Sequence, residues 1–75
     1  MNYAELVLAL EHLRTALRLS DAAIASARRG MFTGAGTLMT DRDIDAAVRR
    51  LGEASMLLRT RIAELDDLRR SQEAD

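Results

Sequence analysis

Tyr3, Leu6, Leu10, Leu13, Leu17, Ser20, Ile24, Ala27 and Met31 fall at alternating spacings of three and four residues. Ile44, Val48, Leu51, Ser55, Leu58, Ile62 and Leu65 repeat the pattern. No other feature of the sequence constrains the fold as tightly. Such spacing keeps one apolar seam on a single side of an α-helix, in the manner of an a/d heptad, whereas a strand would need a period of two. No proline interrupts either run, and Ala, Leu and Arg, all good helix formers, dominate the composition. The fold class expected is all-α, with two long helices.

The stretch GMFTGAGTLMT, residues 30–40, divides the two seams. Arg28 and Arg29 precede it, where cations complement the negative end of a helix, and Gly30 suits a left-handed terminator. Thr40 then stands before Asp41, Asp43 and Asp45, a hydroxyl cap followed by acids at the positive end of the next helix. With Asp43 in the usual Glu position this approximates a capping box, and Met39 is placed to staple onto Ile44. The chain therefore reads as one domain, residues 1–75. Helix 1 covers about 3–29, a loop 30–40, helix 2 about 41–70, and a frayed tail 71–75.

Each helix would span about 28 residues, or about 40 Å at 1.5 Å per residue. Two such rods joined by a bend lie antiparallel, as a helical hairpin, with facing residues whose numbers sum to about 70. Leu13 then approaches Leu58, and Leu6 approaches Leu65. Ala9, Ala16 and Ala23 line the first seam, and Ala47, Gly52 and Ala54 the second, so a close crossing at Gly52 is one expectation and an unconstrained glycine the other. Asp45 with Arg49, Arg49 with Glu53 and Asp66 with Arg70 are spaced as helical ion pairs of about 0.2–0.5 kcal/mol each.

A single core at this length rarely supplies more than about 3–5 kcal/mol. Without cysteine there is no disulfide framework to add to it. A partner surface is what remains. The formal net charge of −1 argues against binding driven by phosphate or anionic lipid. No window reaches the roughly 18 apolar residues of a membrane span, and the start of the chain is periodic rather than signal-like, so a cytoplasmic location is expected.

Residues able to do chemistry are isolated from one another. His12 is the only histidine, and Glu5 and Glu11 do not share its helical face at ligand spacing, so no metal site is expected. Ser20 and Ser55 occupy seam positions without a base at recognisable spacing. They read as core serines bonded back to the carbonyl one turn earlier. The alternate aspartates at 41, 43 and 45 lack the glycine and bidentate glutamate of a calcium loop, and Gly30, Gly34 and Gly36 lack the Lys-Ser/Thr pair of a phosphate loop. No catalytic residue, cofactor or small-molecule substrate is expected.

Apolar residues nevertheless exceed what a hairpin buries. Leu8, His12, Thr15, Leu19 and Ala22 form a second stripe on helix 1, while Met56 and Leu57 flank the seam of helix 2, opposite Arg14 and Leu13 by the alignment above. One shared patch, Leu8, His12, Leu19, Met56 and Leu57, is the expected dimer or partner face, and a homodimer would complete a four-helix bundle. The loop adds Met31, Phe32, Leu38 and Met39, which either plug the hairpin's end or bind a partner protein. A non-enzymatic adaptor, inhibitor or assembly factor fits these features.

Two alternatives rest on other residues. Arg14, Arg18, Arg49 and Arg50 could contact phosphates, and a dimeric hairpin resembles in outline the plasmid-encoded repressors of primer, a likeness that implies binding of RNA across a bundle face. Phe32-Thr33-Gly34 resembles the bend of small secreted helical hairpins that carry Trp-x-Gly, with phenylalanine in the tryptophan's place, and implies export.

Overall fold

The computed structural model describes residues 1–30 and 41–74. Two helices, α1 (Tyr3–Arg28) and α2 (Asp41–Ala74), pack against each other as a hairpin in a body of 56 × 17 × 17 Å. The radius of gyration is 16.5 Å, against about 11 Å for a compact chain of this length. The protein is a rod.

Asn2 caps α1. Its side chain accepts from the Glu5 backbone N–H at 2.8 Å and donates to the Glu5 carboxylate at 3.1 Å, which satisfies one of the helix's free donors. At the other end the Arg29 N–H reaches the Ala25 carbonyl at 3.1 Å and the Gly30 N–H the Ala27 carbonyl at 3.0 Å. Gly30 adopts φ 76°, the left-handed conformation that a residue without Cβ takes without strain. The expected stop is present. The start proposed at Thr40, the Met39 staple and the interior of the loop lie outside the described residues.

α2 continues through residues 71–74, a turn beyond its expected end near Arg70. The last turn is tied at two points. Tyr3 donates its hydroxyl to the Glu73 carboxylate, and Arg69 bonds the same carboxylate at 3.2 Å.

The core lies toward the chain termini. Leu6, Leu10 and Leu65 form its buried centre, with Ala9, Leu13 and Ile62 packed around them, so the expected approach of Leu6 to Leu65 is found. Farther along, the seam narrows to Ser20 and Ser55, whose hydroxyls meet at 2.7 Å. Ser20 also lies 3.3 Å from the Leu51 carbonyl. The serines are satisfied across the interface, not by carbonyls of their own helices.

With Ser20 facing Ser55 and Tyr3 facing Glu73, paired residues sum to the mid-seventies rather than to about 70. α2 is the longer helix, 34 residues against 26. Its N-terminal turns extend past the end of α1, and this moves each pairing by about one turn. Gly52 marks no close crossing either, because a Cβ added there would meet nothing within 4 Å.

Candidate interaction surfaces

The register gives the hairpin two unlike flanks. On one, Arg59 pairs with Asp21 at 2.8 Å and Arg14 with Asp66 at 3.4 Å, both between helices. Asp66 also bonds Arg69 at 2.8 Å and Arg70 at 3.1 Å. The hydrogen bond from Arg69, reinforced by the charges of Arg69, Arg70 and Arg14, holds the Asp66 carboxyl below the usual carboxylate range, and the same bond raises the Arg69 guanidinium. Tyr3 is raised, chiefly by its hydrogen bond to Glu73. These groups are solvated, and each exposed pair contributes about 0–1 kcal/mol. Sequence spacing anticipated the Asp66–Arg70 pair. It missed those between helices, because they follow from the register. The Asn2 cap was also missed, although Asn2-x-x-Glu5 is a readable start signal.

Among the described residues, no ion pair bridges the helices on the opposite flank. Successive helix positions turn by about 100°, so Ala9, Ala16 and Ala23 fall on the side of α1 away from Arg14 and Asp21. The row Ala47, Ala54, Arg61 and Leu68, at steps of seven, falls on the same side of α2. Leu13 and Leu58 are half-buried beneath it, Ala16 and Ala54 are exposed, and Leu68 is 44 % exposed. Arg61 bonds Glu64 at 3.0 Å on its own helix.

Outer residues form a third kind of surface. Leu8 and Leu19 are 52 % and 67 % exposed, Met56 and Leu57 69 % and 72 %, and His12 is exposed as well. Helical spacing sets Leu8 behind α1 and Met56 behind α2, while Leu19, three residues from Ala16, and Leu57, three from Ala54, border the alanine rows. The expected placing of Met56 across from Arg14 fails, since Arg14 reaches Asp66 instead.

The four arginines weighed as phosphate contacts are likewise dispersed. Arg14 is paired with Asp66, and Arg18 donates to the Thr15 hydroxyl at 3.2 Å. Arg49 and Arg50 are exposed near the other end of the hairpin and diverge around α2. Met31, Phe32, Leu38 and Met39 lie outside the described residues. Among those described, no group of His, Cys, Asp or Glu is arranged to hold a metal ion, and no helix is long and apolar enough to cross a membrane.

No protein-family model, curated protein or solved structure matches the chain.

Proposed function

We propose that this protein is a non-enzymatic interaction module, a helical hairpin that pairs with itself and docks on another protein as an adaptor, inhibitor or assembly factor. One observation carries the reading: the rod has too much surface for its core. It exposes 5697 Å² for 8.3 kDa, where a compact monomer of that mass exposes about 4,600 Å². The buried apolar side chains among the described residues are Leu6, Leu10, Ile44 and Leu65. An excess of roughly 1,100 Å² is comparable to the roughly 800 Å² that each partner contributes to a standard interface.

Sedimentation equilibrium tests the self-association. A dimer at micromolar concentration supports it, and a folded monomer defeats it. For docking, affinity capture from the native host is compared between the wild type and a Leu8→Glu/Leu19→Glu variant. A protein retained by the first and lost by the second, with helix content unchanged, is the expected result. Identical capture by both would remove the outer leucines from the reading.

A further inference from the structure

We infer that a second copy of this chain covers the flank that carries Ala16, Ala54 and Leu68, leaving Leu8 on the back of α1 free. This rests on the reading of the protein as a self-associating hairpin and assigns the surface used. Three observations converge on it. The flanks differ in kind: the ion pairs Arg59–Asp21 and Arg14–Asp66 bridge the helices on the other side, where a second helix pair would have to desolvate them. The alanine flank draws on both helices without a described ion pair across it, with Leu13 and Leu58 half-buried under it and Leu68 standing open. Leu8 lies on the back of α1 alone, a strip too narrow to relieve the surface excess, whereas Leu19 borders the alanine row.

The occupant follows from complementarity. By the register that Ser20 and Ser55 set, Ala9 stands level with Leu68, Ala16 with Arg61 and Ala23 with Ala54, to within about half a turn. A copy rotated by a half-turn about the long axis, with both bends at the same end, lays its α2 along this α1. Its large Leu68 and Arg61 then meet the small Ala9 and Ala16, and its Ala54 meets Ala23. Large side chains against small ones allow close packing of antiparallel helices, and every adjacent pair in the resulting bundle is antiparallel.

The test compares three chains by sedimentation equilibrium, with circular dichroism as the control for folding. Ala16→Arg and Ala54→Arg substitute good helix formers at positions exposed in the isolated hairpin, so helix content is retained. Each is expected to weaken the dimer at least 100-fold, whereas Leu8→Glu, on the back of α1, leaves it within about threefold of wild type. If Leu8→Glu dissociates the dimer and the alanine variants do not, the alanine flank is not the contact surface while self-association stands. A monomeric wild type would overturn the underlying reading as well.

Discussion

The hydroxyls of Ser20 and Ser55 meet at 2.7 Å across the helix interface, with Ser55 only 2 % exposed. When Ser20 donates to the Leu51 carbonyl, Ser55 donates to Ser20, and no described buried side-chain polar atom lacks a partner. Sliding α2 by one turn would set Ser20 against Leu51 or Leu58 and leave the Ser55 hydroxyl in an apolar layer. The pair therefore selects the register at the point where the seam is least apolar.

Removing one member should cost more than removing both in proportion. Ser20→Ala leaves the buried Ser55 without its cross-helix partner, a loss of about 1–3 kcal/mol, whereas the double Ser20→Ala/Ser55→Ala change deletes both polar groups. Urea unfolding of the two singles and the double should give a double-mutant cost below the sum. Strict additivity would mean that the hydroxyls are not coupled.

Gly52 interrupts α2 without any packing reason, for a Cβ there meets nothing within 4 Å. Gly52→Ala should raise stability by about 0.5–1 kcal/mol through the lower entropy of the unfolded chain and the better helix propensity of alanine. Thermal melting at fixed protein concentration reads this directly. A lower Tm would show that the open space is occupied in solution.

Acid should loosen the charged flank. Arg69 holds the Asp66 carboxyl below the usual range, so the unfolded chain takes up a proton at higher pH than the folded one. The contribution of Asp66 is therefore full above the ordinary carboxylate pKa of about 4 and disappears as pH falls through the lower folded value. Urea midpoints measured from about pH 6 downward should decline, and Asp66→Asn should flatten part of that decline. An unchanged pH dependence in the variant would contradict the assignment.

The closure of the two chain ends depends on Tyr3, whose hydroxyl bonds Glu73 in the last turn of α2. In Tyr3→Phe the amides of residues 71–74 should exchange faster in hydrogen–deuterium exchange, while those around Leu58 and Ile62 stay protected. Unaltered exchange at the end of α2 would show that Arg69 alone holds it.

Much of this architecture is legible from local patterns. The heptads give both helices, and Arg28, Arg29 and Gly30 give the end of the first, because periodicity and capping are properties of neighbouring residues. Register is not local. It depends on how far α2 outruns α1, and an assumed symmetric bend displaced the pairings by about a turn. From that one displacement came the wrong neighbours for Arg14 and the unseen pairs Arg14–Asp66 and Arg59–Asp21. The end of α2 was set too early for the same reason, since Glu73 is held by a residue at the far end of the sequence.

Sedimentation equilibrium of the wild-type protein at micromolar concentration addresses self-association most directly. The expected mass is twice the 8.3 kDa of the chain, with helix content matching α1 and α2. A single 8.3 kDa species with the same helix content would contradict it.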